Sequence, residues 1–393
     1  MDAWYFTEMP YPHLPPQDSY PSDRVSLSNA HFDSGIGADL YNRYLDEYVI
    51  ADELGLNLML NEHHQTPTCL DAAVPLTAAI LARETSKGRI LVLGNPVANR
   101  ADPVRIAEEM AMVDCISRGR LDAGFVRGVP YELFGSNTNP THTMERLWDG
   151  IDLVVKAWTT RDGPFNFEST HWHKRCVNIW PVPYQRPHPP IWTTGSTDSP
   201  NIDRVAKRGF NFASFLQPYE QVRKLFDRYR NACPDGPQAG TARLGFMPLI
   251  AVGESEAEAR KRAEALRWFL ASKTAPQFRN PPGYVSVDIN VRALKGEFAG
   301  RTAAIRQEGM DFLIEKGVVM AGTPDQVVRQ IETFCERVGG MGHLLGMLQA
   351  GFLDHEETVR NITLFARDVY PRIRHLGTAS ASPQAAVTAR AGR

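Results

Sequence analysis

Three things are scarce in this sequence of 393 residues: long apolar runs, paired cysteines and an excess of charge of either sign. No apolar stretch approaches the ~18 residues of a membrane span. The opening residues, MDAWYFTEMPYP, lack a basic stretch followed by an apolar core, so neither a span nor a secretion signal is expected. The five cysteines (Cys69, Cys115, Cys176, Cys233 and Cys335) are odd in number, scattered and without a CxxC pair. That argues against a disulfide framework or a structural zinc site and fits a reducing cytoplasm. Lys plus Arg number 43 against 45 Asp plus Glu, which gives no electrostatic case for nucleic acid or an anionic membrane as partner. No shift in composition divides the chain, so one enlarged domain over residues 1–376 is expected, with the Ala-, Ser-, Thr- and Arg-rich residues 377–393 as a disordered tail.

What is present is an alternation of short apolar runs with longer amphipathic ones, the pattern of a parallel sheet with helical crossovers. Eight runs read as strands: Ala3 to Phe6, Leu56 to Leu60, Ile90 to Gly94, Leu121 to Val126, Pro190 to Thr194, Phe210 to Phe215, Leu244 to Val252 and His343 to Leu348. Eight strands close a (β/α)8 TIM barrel of the α/β class. Thr323-Pro324-Asp325-Gln326 is a capping box with proline at the first helical position. Two segments interrupt the alternation. Residues 162–180 read as an inserted hairpin, and residues 274–301, with Pro276, Pro281, Pro282 and Gly283 but no clear periodicity, read as a lid-like loop.

The most informative run is ADPVRIAEEMAMVDCISRGRLDAGFVRG, Ala101 to Gly128. Asp102 can cap a helix whose first residue is Pro103, Gly119 ends it, and Leu121 to Val126 forms a short strand. Arg127-Gly128 then places a permanent cation at that strand's C-terminal end, where barrel enzymes hold anions. Asn61-Glu62-His63-His64 follows another strand to the same rim, and an imidazole there can relay a proton. Neighbouring residues of an extended segment point in opposite directions, so a shared metal site is the weaker reading and no metal is expected. Gly195-Ser196-Thr197-Asp198-Ser199 opens a helix after a third strand, and its hydroxyls and N–H groups suit a phosphate. Together with Arg127 it points to a phosphorylated cofactor. Trp4, Phe6, Phe134, Trp172 and Trp192 are candidates to line the mouth for an apolar or aromatic substrate, with ordinary packing as the competing reading. His171 and His173 on the hairpin alternate and so share a face.

In these three motifs, in this order, and in PYELFG from Pro130 to Gly135, the TPDQ helix start and DVYPRI near the end, the chain resembles the bacterial luciferase-like family of flavin-dependent monooxygenases over roughly Ala3 to Ile373. The resemblance implies a (β/α)8 barrel, non-covalently bound reduced FMN supplied by a separate flavin reductase, molecular oxygen as co-substrate and a homodimer. By position it puts the phosphate site on Arg127, Ser196 and Ser199, with Gly195 of the same turn as a further cofactor-binding residue. It also makes His63, with His64 as its neighbour, the catalytic hydrogen-bonding or proton-relay group beside a flavin C4a-hydroperoxide that oxygenates a small organic substrate. Gly94-Asn95 matches the place where the family backbone bulges against the flavin ring, often through a non-proline cis bond. Two positions depart from the luciferases: Val126 stands where they carry a cysteine, and His142 where they carry a further phosphate-binding arginine. Flavin binding is expected and light emission is not. Three other readings stay open: a deazaflavin-dependent hydride-transfer enzyme of the same superfamily, a non-catalytic flavin-binding protein, and a metal-dependent barrel hydrolase.

Overall fold

The computed structural model describes residues 1–195, 201–279, 281–295 and 305–377. Its strands are β1 (Asp2–Thr7), β2 (Asn57–Leu60), β3 (Ile90–Asn95), β4 (Leu121–Phe125), β5 (Phe165–Glu168), β6 (His173–Val177), β7 (Ile191–Thr194), β8 (Asn211–Phe215), β9 (Leu244–Met247), β10 (Leu249–Val252), β11 (Val319–Gly322) and β12 (His343–Gln349). β1, β2, β3, β4, β7, β8, β9 and β12 pair in that order, all parallel, and β12 pairs back to β1. The result is a closed eight-stranded barrel with helices between successive strands, as the alternation predicts. No helix among the described residues is long and apolar enough to cross a membrane. The expected tail lies almost wholly outside the described residues.

Two strand expectations need correction. The run Leu244 to Val252 is not one strand, because Pro248 has no N–H to give to a ladder and separates β9 from β10. β10 pairs with β12 through Leu249 and carries on its other side β11, which was not expected at all. β11 is only four residues long and sits between Gly317 and the capped helix Pro324–Val338, too short for a period to show. The capping box itself is formed, with both reciprocal bonds. The helix Pro103–Ile116 starts as read: the Asp102 carboxylate accepts from Val104 N at 2.9 Å, and Gly119 at φ 87° takes the chain out of it.

Strand alternation divides the core in two. Ala3 and Tyr5 pack with the surrounding helices, whereas Trp4, Phe6, Met59, Leu91, Leu93, Trp192 and Met347 belong to the cluster filling the barrel. Trp192 donates to Asp122 Oδ2 at 2.8 Å and meets Trp4 edge-on, with ring centroids 6.0 Å apart. Trp4, Phe6 and Trp192 are therefore packing and do not line the mouth.

The inserted hairpin is present, β5 antiparallel to β6. Trp172, between the two strands, packs under the Arg146 guanidinium at 4.3 Å and so fastens the hairpin to the helix Thr143–Thr159. The segment from 274 is less irregular than expected: it contains short helices Pro276–Arg279 and Val287–Leu294, while residues 280 and 296–304 lie outside the described set.

At the end of β3 the register with β4 shifts between Leu93 and Asn95, which is the expected bulge. Both peptide bonds of Gly94 are trans, the cis bonds being Trp180–Pro181 and Arg186–Pro187. The glycine has a reason inside the fold: a Cβ there would lie 2.7 Å from Asn61 Cα. Gly94→Ala should lower the unfolding free energy by about 1–3 kcal/mol, read from denaturant midpoints, since backbone at the end of β2 has to move. An unchanged midpoint would show that the two strand ends separate freely.

Candidate active site

The C-terminal ends of the strands gather on one face, and the end of β2 holds the densest polar cluster. There the two histidines do diverge, each to its own carboxylate. His63 Nδ1 is 2.9 Å from Glu132 Oε1, and its Nε2 is 3.8 Å from Glu8 Oε2. His64 Nε2 is 2.9 Å from Glu62 Oε1. Glu132 also accepts from the His64 backbone N–H at 3.0 Å, so one carboxylate fixes both the ring of one histidine and the main chain of the next. Glu8 in turn accepts from Asn61 Nδ2 at 2.8 Å.

These carboxylates are buried, and the charges around them decide protonation. Burial alone would push the His63 imidazolium down, but Glu8 and the bond to Glu132 outweigh it and hold His63 above the ordinary histidine value. His64 is held up by its bond to Glu62, against burial. Burial would raise Glu132, yet the two histidines hold it low. Asp71, whose carbonyl accepts from His63 N at 3.2 Å, is pushed up to about 7 by burial. From the loop that follows β1, Arg24 donates to Ser272 Oγ at 3.2 Å and to the Tyr131 hydroxyl, placing a buried cation near the same cluster.

Arg127 stands at the end of β4. Its Nε donates to Thr143 Oγ1 at 2.8 Å, its Nη2 donates to the Tyr284 carbonyl, and its guanidinium lies 3.5 Å from the Tyr284 ring centroid. It has no carboxylate partner among the described residues. Burial pushes its pKa down, the direction of a desolvated cation. The Tyr284 hydroxyl closes the contact by donating to Gly128 O at 2.8 Å. Beside it, Gly128 at φ 85° leaves room for Asn99, which a Cβ would meet at 2.3 Å. The Asn95 and Asn99 side-chain amides are buried and have no hydrogen-bond partner among the described residues. Orphaned amides and an unneutralised guanidinium at one strand-end face fit an anionic, hydrogen-bonding ligand such as a flavin mononucleotide.

The remaining sequence candidates divide. Gly195 follows β7, with its N–H 3.3 Å from Ala213 O. Ser196 and Ser199 lie outside the described residues. His142 turns to Glu145, 3.7 Å from its Nδ1, and to the His171 ring, 5.3 Å away. His171 and His173 do not share a face: His171 precedes β6 and bonds Glu145, whereas His173 is exposed and bonds Glu168. Sequence reasoning missed Glu8, Glu132, Arg24 and Tyr284. Glu132 was in view within the stretch Pro130 to Gly135, but nothing in its spacing ties it to His63, 69 residues earlier.

Residues 25–340 match the family model described as luciferase-like monooxygenase. The chain belongs to that family. The chain is similar to the oxygenase component of a flavin-dependent trigonelline monooxygenase from Acinetobacter baylyi, 28% identical over 238 residues, covering 58% of this chain and 64% of the relative. In fold the chain is similar to the oxygenating constituent of a 3,6-diketocamphane monooxygenase of Pseudomonas putida, solved with FMN. That likeness has a TM-score of 0.69 at 16% identity over 94% of this chain and 98% of that one. A secondary alcohol dehydrogenase that uses F420, a deazaflavin, also shares the fold, with a TM-score of 0.63 at 15% identity over 86% and 95%. This luciferase-like chain thus has a barrel common to both cofactor types.

A folded-state histidine pKa above the unfolded one stabilises the protein below the unfolded value, and that contribution is lost as pH rises through the folded value. Glu132→Gln removes a charge facing His63 and leaves burial in place, so His63 should titrate at lower pH, followed by its ring proton shifts in NMR. If its midpoint stays where it is in the parent, Glu132 does not set the charge on His63.

Proposed function

We propose that the chain is the oxygenase of a two-component monooxygenase: reduced FMN from a separate flavin reductase binds without a covalent bond at the C-terminal mouth, and molecular oxygen and a small organic substrate react there. The observation that supports this best is Arg127, a desolvated guanidinium with no carboxylate partner among the described residues, on the same face as the His63–Glu132 pair. Arg127, Gly195, Ser196 and Ser199 would hold the phosphate, with His142 as an outlying donor, and Gly94-Asn95 would flank the ring. The unpaired cysteines agree with a reducing cytoplasm.

Reduced FMN supplies the two electrons that let one atom of oxygen enter the substrate while the other leaves as water. The protein's own part is positioning, exclusion of water and proton delivery. His63 is fixed through Nδ1 by Glu132, which leaves Nε2 as the atom that carries a proton to the departing oxygen or holds a hydrogen bond to the substrate. His64 braces the loop through Glu62. The described part of the segment, 274–279 and 281–295, would act as a lid, since Phe278 packs edge-on against Phe134 and Tyr284 covers Arg127. The aromatic groups that face a substrate are those of this lid and of Tyr131 and Phe134, and they favour an apolar one.

A homodimer is also proposed. Leu76, Ile80, Met112 and Ile116 are exposed on the helices Val74–Glu84 and Pro103–Ile116, which pack side by side and form an apolar stripe on one flank of the barrel.

Arg127→Ala should weaken reduced-FMN binding by about 1.5–3 kcal/mol in anaerobic titration, the worth of a charged hydrogen bond. Tighter binding of a reduced deazaflavin than of reduced FMN by the parent protein would instead favour the hydride-transfer reading. His63→Ala should keep flavin affinity and lose coupled product formation; equal turnover would remove His63 from the chemistry. Replacing Leu76 and Met112 by Glu should give monomers in light scattering. A parent that is itself monomeric would refute the proposed dimer.

A further inference from the structure

At the edge of the proposed flavin site, His142, Glu145 and His171 converge from two stretches of chain: the short turn Pro140–His142 running into the first turn of the helix Thr143–Thr159, and the turn between β5 and β6. His171 Nε2 is 3.1 Å and His142 Nδ1 3.7 Å from the same Glu145 oxygen, and the three ligand atoms all lie within 4.8 Å of one another. Ligands at the usual zinc distances around a tetrahedral ion are about 3.3 Å apart, so the present spacing brackets the required one.

Each ligand is held by contacts that owe nothing to an ion. Asn139 Oδ1 accepts from Thr141 N at 3.0 Å and from Thr141 Oγ1 at 2.7 Å, which sets the turn carrying His142. Ser169 Oγ accepts from the N–H groups of His171 and Trp172 at 3.3 and 3.0 Å. The Trp172 indole under Arg146 then docks this turn on the helix that carries Glu145. Glu145 has no lysine or arginine partner among the described residues; its ion-pair partners are these two histidines. Two imidazoles aimed at one carboxylate can each donate a ring N–H to it, and with those protons released the same three atoms form an N, N, O donor set for a metal ion.

We propose that His142, Glu145 and His171 form a site for a divalent transition-metal ion of the zinc class, with a fourth position open to water, which clamps the β5–β6 hairpin to the barrel wall. Three neutral or singly charged N and O ligands of this kind suit zinc over calcium or magnesium, which prefer oxygen alone. The inference does not rest on the flavin reading, because the ion serves the hairpin and is tested without flavin. It does bear on His142, whose Nδ1 would be committed to the metal.

The test is a titration of chelator-treated, tag-free protein with zinc by calorimetry and with cobalt by visible absorption. One equivalent should bind, with the intense visible bands of four-coordinate cobalt and a raised melting temperature. His171→Ala and Glu145→Gln, each verified as folded by circular dichroism, should weaken uptake about tenfold or more. His173→Ala, on the exposed neighbour, should not change it. Absence of saturable uptake by the parent overturns the proposal in favour of ring N–H hydrogen bonds to Glu145 alone, and so does uptake that is equal in parent and His171→Ala.

Discussion

The arrangement of the mouth depends on one buried carboxylate, that of Glu62. It accepts from the Val74 backbone N–H at 3.0 Å, from Arg100 Nη2 at 2.7 Å and faces His64 Nε2 at 2.9 Å, and its side chain is fully removed from solvent. The helix Val74–Glu84 starts after Ala73, which has no side chain to cap it, so a carboxylate from the end of β2 does that work and meets the positive end of the helix dipole. Arg100, on the loop leaving β3, supplies the compensating charge. Removing Arg100 would leave the buried carboxylate with only His64 as counter-charge, whereas Arg100, partly exposed, could turn to water if Glu62 were lost. Glu62 therefore belongs to the framework: it fixes where the β2 and β3 loops stand, and His63 inherits its position from that fixation.

The division between what could be read from the residues and what could not follows from the range of each interaction. The helix Pro103–Ile116, its Asp102 cap, the turn at Gly119 and β4 are set by contacts a few residues apart, and all are legible in Ala101 to Gly128. The same holds for the capping box at Thr323 and the hairpin at 165–177. The break at Pro248 is legible too, because proline cannot donate to a central ladder, although the run around it is continuously apolar. Glu132 is not. Its importance lies in meeting a ring from another strand end, and no spacing in the chain encodes which carboxylate a histidine will find. Gly94 shows a third case: the resemblance singles the residue out as backbone against a flavin ring, while the neighbour that leaves no room for a Cβ is Asn61, just past the end of the adjacent strand.

Arg127 shows how the insertion and the barrel share one group. A guanidinium at the end of a barrel strand would ordinarily be solvated or paired with a carboxylate; here it is stacked against an aromatic ring and donates to a carbonyl, both from Tyr284. Stacking and a neutral acceptor leave its charge uncompensated in a partly dehydrated setting, which is why burial lowers its pKa. Such a cation is attracted to an anion more strongly than a hydrated one, because most of the desolvation has already been met by folding. An anion taking the Nη2 hydrogen bond would displace the Tyr284 carbonyl, while the Tyr284 hydroxyl on Gly128 O and the Phe278–Phe134 contact would stay available to the segment. On the proposed reading, a phosphate contact at Arg127 and the position of Tyr284 would thus be coupled through one guanidinium.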